Sequence, residues 1–201
     1  MKKRLIQIAI MLAACCAYGQ GTLVYDQQVS NTNAPGGYGN IQPDPSGQSF
    51  VPSLSSVGFV QFYLSDGNPD QLGATLYVNL WSGSLAGGTL LGQTAPVSLS
   101  GSFFGVTTFL FSAPVTVSPG TTYYFQPIVQ SGDSEQIGVL PGSAYTSGTA
   151  FFQGNAQPNT DLWFGEGIVV PEPSSAALIL IGMTAFYFRN RKTQQSTTKE
   201  L

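Results

Sequence analysis

The sequence predicts an all-β chain: a single antiparallel β-sandwich, jelly-roll-like, with an N-terminal signal helix and a C-terminal transmembrane helix. Three observations carry that expectation. Apolar-rich stretches of about four to nine residues recur between clusters of Gly, Pro, Ser and Asn, the pattern of many short strands joined by turns. No stretch between the two chain ends sustains a helical period, whereas strand alternation is plain in several places. Only the ends combine continuous apolar runs with basic clusters.

Taken in order, strands are expected at Thr22–Gln27, Gln48–Val51, Val57–Leu64, Ala74–Trp81, Thr89–Thr94, Gly105–Phe111, Thr121–Val129, Gln136–Leu140, Ala150–Gln153 and Asp161–Phe164. In Ala74–Trp81, Leu76, Val78 and Leu80 face one way and Thr75, Tyr77 and Asn79 the other. In Thr121–Val129, Tyr123, Phe125 and Val129 share a face, and Pro127 suggests an edge strand or a bulge. Ser118-Pro119-Gly120 reads as a tight turn, Pro fixing the first central φ and Gly admitting a positive φ at the second. Ser30–Gly47, rich in Gly, Pro and Asn, is expected to be a long loop, and 154–160 another. Such a set of short strands closes as a sandwich.

The N-terminus reads as a secretory signal peptide over 1–19. Lys2, Lys3 and Arg4 precede the apolar Leu5–Ala14 and a small-x-small site at Ala17-Tyr18-Gly19, so cleavage is expected between Gly19 and Gln20. Leu12-Ala13-Ala14-Cys15 has the form of a lipobox and offers lipidation of Cys15 as the alternative. Both cysteines, Cys15 and Cys16, lie in this segment, so cleavage after Gly19 leaves a body without a thiol.

At the other end, Val170-Pro171-Glu172-Pro173 leads into an apolar run over 174–188, followed by Arg189, Arg191 and Lys192 and a polar tail over 193–201. Proline lacks an N–H and turns its predecessor away from helix, so the tripeptide stays extended. The basic cluster holds the far end on the cytoplasmic side. Motif, apolar run and basic cluster, over residues 168–192, resemble the PEP-CTERM sorting signal of exported proteins in exopolysaccharide-producing bacteria. The resemblance implies processing by an exosortase-type membrane protease, with Pro171, Glu172, Pro173, Arg189, Arg191 and Lys192 as the sorting residues. It also implies a precursor in the inner membrane, its C-terminus cytoplasmic, followed by release to the cell surface or matrix. The body, 20–167, resembles the secreted β-sandwich modules that often precede such a tail. Val78–Ser84, Gly87–Gly92 and Pro119–Tyr124 carry that likeness.

Charge limits the chemistry. All seven basic residues lie in the two end segments or just beyond, and His is absent from the chain. Residues 21–170 keep eight acids and no cation, a charge of −8. Without Lys or Arg they cannot neutralise phosphates, so nucleic acid is excluded as a partner. Without His, Cys, Lys or Arg they cannot form a Ser-His-Asp or Cys-His system, a Schiff base or a typical zinc site. No enzyme activity is therefore expected. Carboxylate-only glycoside hydrolysis is the remote alternative, with Asp133 and Glu135 the nearest pair in sequence, yet Ser131–Glu135 reads as a solvated turn.

Two further groupings could hold a ligand. Asp66, Asn68 and Asp70 place oxygen donors at alternate positions, which suits calcium. Gln71 and Tyr77 stand where an EF-hand needs Gly and Glu, so an EF-hand is excluded and a polar turn is the simpler expectation. No cofactor is otherwise expected. Trp81, Tyr145 and Trp163, with Tyr77, could form a platform for sugar rings, although aromatics also fill sandwich cores. The expected function is a non-enzymatic exported surface or matrix protein associated with exopolysaccharide. A carbohydrate-binding module is the alternative. Its expected partners are the secretion machinery, the exosortase-type protease and the membrane through the C-terminal helix.

Overall fold

The structure, a computed structural model, describes residues 21–29, 34–68, 70 and 72–171 of the chain. The expected signal helix, the 174–188 span and the sorting residues after Pro171 lie outside the described residues. Fourteen strands follow one another: β1 (Thr22–Gln28), β2 (Gly37–Asn40), β3 (Gly47–Phe50), β4 (Ser56–Asp66), β5 (Ala74–Ser82), β6 (Thr89–Gln93) and β7 (Val97–Leu99), then β8 (Phe104–Thr116), β9 (Tyr123–Gly132), β10 (Glu135–Pro141), β11 (Ala150–Phe152), β12 (Asn155–Gln157), β13 (Thr160–Leu162) and β14 (Phe164–Val170). There is no helix among the described residues. Contacts gather Leu23–Val169 into one compact unit.

The strands form two antiparallel sheets of seven. The first runs β1-β14-β4-β10-β13, with β8 beside β4 and β2 beside β10; the second runs β12-β11-β3-β9-β5-β6, with β7 beside β5. Alternation decides which side chains meet between them. Val60, Phe62 and Leu64 of β4 and Leu76, Val78 and Leu80 of β5 are fully buried in one shared core, as the pattern of Ala74–Trp81 predicts. Phe125 of β9 stacks on Phe50 of β3 at 4.1 Å and meets Phe62 of the opposite sheet edge-on at 6.4 Å. The edge-on contact suits the ring quadrupole.

A polar bridge crosses between the sheets inside this core. Gln48 of β3 donates through Nε2 to Asp161 Oδ1 of β13 at 3.0 Å, and its Oε1 accepts from the Leu162 N–H at 2.7 Å. Asp161 Oδ2 accepts from the Tyr145 N–H at 2.8 Å. Buried polar groups paired in this way fix one sheet against the other instead of opposing burial.

Three expectations need correction. The segment 30–47 contains β2, and 154–160 contains β12, because Gly and Asn run in extended conformation where a neighbouring strand offers hydrogen bonds. Pro127 lies on β9, an interior strand between β3 and β5. Its partner Val78 directs its own N–H and C=O to Thr94 on the other flank, so Pro127 sits in a pair that needs no N–H toward β5. On the β3 side, pairing ends at Gln48↔Phe125 and leaves the proline room. The bulge falls nearby, between Thr75 and Leu76. The Ser118–Thr121 turn forms as expected: the Thr121 N–H donates to Ser118 O, and Gly120 takes φ +77.

Candidate functional site

The Asp66–Asp70 loop leaves the end of β4 as a wired turn. Asp66 accepts from the Asn68 N–H at 2.9 Å and the Ser102 N–H at 2.6 Å, while Asp70 accepts from the Leu72 N–H at 2.9 Å. Asn68 Nδ2 bridges Asp70 at 3.0 Å and Asp133 at 3.1 Å. Hydrogen bonds from Asn68 and the Ser134 N–H hold the Asp133 carboxyl below its usual range. Among the described residues no three acidic, His or Cys side chains gather at metal-binding distance.

Two glutamates are buried, which composition alone did not foretell. Glu135, expected on a solvated turn, is 1% exposed at the start of β10, because its strand pairs with β4 at Asp66 and turns it inward. Burial, with the charges of Asp66 and Asp133 added, raises its pKa to about 7. Glu166 of β14 is fully buried, beside the Gln27 backbone and the Asp26 carboxyl of β1. Burial, with the neighbouring Asp26 charge, raises it to about 8. Asp26 itself is drawn down, because the N–H groups of Ser53 and Leu54 and the Ser53 hydroxyl outweigh its own burial. Asp133 and Glu135 are therefore a turn acid and an interior acid.

The sequence-named aromatics do not converge. Tyr145 is in the core, edge-on to Phe164 at 5.3 Å, with its hydroxyl accepting from the Val51 N–H at 3.0 Å. Trp81 and Tyr77 lie on β5 in the second sheet, on the side away from Leu76, Val78 and Leu80. Trp81 Nε1 donates to Gln126 Oε1 at 2.8 Å. Trp163 lies between β13 and β14 of the first sheet, 7% exposed and edge-on to Tyr63 at 5.6 Å.

A different aromatic group forms on the outer side of the first sheet. Phe59, Gln61, Tyr63 and Ser65 alternate with the core residues of β4 and so face away from it; Phe59 and Gln61 are buried, with Tyr25 packed on Phe59, while Tyr63 and Ser65 are partly open. Their partners on β8 are Leu110, Thr108, Val106 and Phe104. Tyr63 contacts Phe104 at 5.2 Å, Tyr38 of β2 contacts Tyr63 at 6.3 Å, and Tyr38 contacts Phe104 at 5.9 Å, closing a triangle of rings. Phe104 is 61% exposed and Tyr38 37%. Gly138 of β10 makes room for this: a Cβ there would strike the Pro35 ring and come within 3.1 Å of Tyr63 Cβ. Beside the triangle runs an uncharged row from Ser65 to Gln136 and Asn40, the two amides joined at 3.2 Å. Next to Phe104 opens a cleft of about 410 Å³ lined by Ser65, Asp66, Asn68, Ser102 and Phe103. The sequence hid this group because Tyr38 lies in a Gly-rich segment and Phe104 just outside the expected strand.

No family model matches the chain, and no curated protein matches it. Among solved structures, one similar chain is an arabinose-bound α-L-arabinofuranosidase, 12% identical, with a TM-score of 0.31. The match covers 72% of this chain and 29% of that enzyme, a likeness too slight to speak for fold or activity.

Proposed function

We propose that residues 20–167 form a jelly-roll-like β-sandwich that acts, without catalysis, as an exported surface or matrix protein associated with exopolysaccharide. A PEP-CTERM tail sorts it. The observation that carries this reading is the division of charge: a body of eight acids and no cation lies between two end segments that hold nearly all the basic residues. Two antiparallel sheets around one core support the sandwich. The burial of Glu135 and Glu166 supports a non-enzymatic reading, because neither offers its carboxyl to a solvent cleft. The reading includes no resident cofactor, with calcium at the Asp66–Asp70 loop as the alternative.

In this reading the 174–188 segment is a temporary anchor. Fifteen residues span about 22 Å as a helix at about 1.5 Å per residue, short of a hydrocarbon core about 30 Å thick. Replacing Pro171-Glu172-Pro173 with three alanines is expected to leave export intact but hold full-length protein in the inner membrane. Mass spectrometry of the mature C-terminus in a host with the matching protease decides it. Wild-type protein that keeps Arg189 to Leu201 there overturns the processing step.

A further inference from the structure

We infer that the outer side of the first sheet, centred on Tyr38, Tyr63 and Phe104, is a binding platform for a neutral polysaccharide. The inference deepens the proposed association with exopolysaccharide and rests on that reading for its setting, while its geometry is independent of it. The three rings touch one another at 5.2–6.3 Å; Phe104 stands well out into solvent and Tyr38 is about one-third exposed. Large exposed aromatic side chains gathered on one face mark a recognition surface rather than ordinary scatter. The electron-rich face of such a ring attracts the polarised C–H bonds on one side of a pyranose, a contact that needs no charge.

What lies beside the rings selects the ligand. Ser65, Gln136 and Asn40 form a row across three strands, and the cleft next to Phe104 adds Ser102, Asn68 and the carboxylate of Asp66, an acceptor only. Hydroxyls and amides, able to donate and accept, match sugar hydroxyls. Tyr25 and Thr108 close the far end of the face over the buried Gln61: Tyr25 Oη donates to Gln61 Oε1 at 2.7 Å, and Gln61 Nε2 to Thr108 Oγ1 at 2.8 Å. Gly165, opposite Gln61, lets that chain of bonds cross β14 without a side chain in the way.

Charge removes the competing occupants. A second copy of the body brings another eight negative charges, and an anionic membrane or an acidic polymer meets the same repulsion with no cation to offset it. A neutral glycan meets none. The three rings lie within 6.3 Å of one another, so the aromatic cluster takes one sugar ring of a chain and the polar row beside it meets the neighbouring units.

Affinity electrophoresis of the full-length protein in gels containing β-glucan, xylan, galactomannan or, as an acidic control, alginate tests the assignment. At least one neutral polymer is expected to retard the protein, and alginate is not. Phe104→Ser and Tyr38→Ser, both at exposed positions, should each weaken retardation about tenfold, and the pair should abolish it. Leu91→Ser, exposed on the second sheet, should leave it unchanged. Thermal melting shows whether each variant is folded. Failure of every neutral polymer to retard a folded protein overturns the platform, as does retardation that survives the double substitution. Dimerisation lost on Phe104→Ser overturns it in favour of a second copy. Export and tail processing, read separately by fractionation and mass, stand or fall apart from these results.

Discussion

At Glu166, one carboxyl sets how the fold responds to pH. Its folded pKa, about 8, lies above the ordinary 4.5, so folding favours the protonated form. The stability this contributes is whole below about pH 4.5 and is lost as pH rises through about 8. Glu135 acts the same way up to about 7. For Glu166 the difference is on the order of 5 kcal/mol, at about 1.36 kcal/mol per unit. The melting temperature is expected to be highest near pH 5 and to fall toward pH 9. Glu166→Gln, which keeps shape and removes the titration, should flatten that fall and raise the melting temperature at pH 8.5. Repulsion among the other acids acts in the same direction, so the difference between wild type and variant, measured by scanning calorimetry across pH, is the decisive quantity. A variant with an unchanged slope refutes the assignment. None of this was legible in the sequence, where Ser131–Glu135 reads as a solvated turn. Burial of Glu135 follows from the pairing of Glu135 with Asp66, a contact about seventy residues apart in the chain.

At the scale of elements, the sequence announced strands with strict alternation and missed those whose partners supply the reason to be extended. Leu76, Val78 and Leu80 declare β5 by themselves. Gly37–Asn40 declares nothing, and becomes β2 only because β10 presents hydrogen bonds to it. The same dependence hid the platform, since its rings come from β2, β4 and β8 and meet only once those strands lie in one sheet. Aromatic identity was legible, and the face was not: Trp81, Tyr145 and Trp163 were the visible candidates and ended in three different places. The Asp66–Asp70 loop connects β4 and β5, where a polar turn was the simpler expectation. Its carboxylates already cap the N–H groups of Asn68, Leu72 and Ser102, so millimolar calcium is expected to leave the melting temperature unchanged. A rise that Asp70→Ala abolishes would reassign the loop as a cation site, because a ligand bound to the native state alone must stabilise it.

For the molecule as a whole, cohesion comes from apolar burial, strand pairing and the Gln48–Asp161 bridge. No Lys, Arg or His lies between residues 21 and 170, so no side-chain ion pair contributes there. With signal cleavage after Gly19, no disulfide contributes either. Denaturant unfolding of the mature body is expected to be a single cooperative transition whose midpoint is the same with and without dithiothreitol; a midpoint lowered by reductant would contradict that cleavage site. The placement of β14 has a mechanical consequence. Val29 N–H donates to Phe164 O while Gly167 packs against Val24, so β1 runs antiparallel to β14, as β4 does on its other flank. Tension applied at the C-terminal end of β14 therefore acts along the strand, in shear. The bonds on both flanks share the load and must fail together, whereas a strand peeled from its end loses them one at a time. Under the proposed role, while the precursor is still held by its tail, this arrangement lets the body bear a pull through β14 without unravelling from that end.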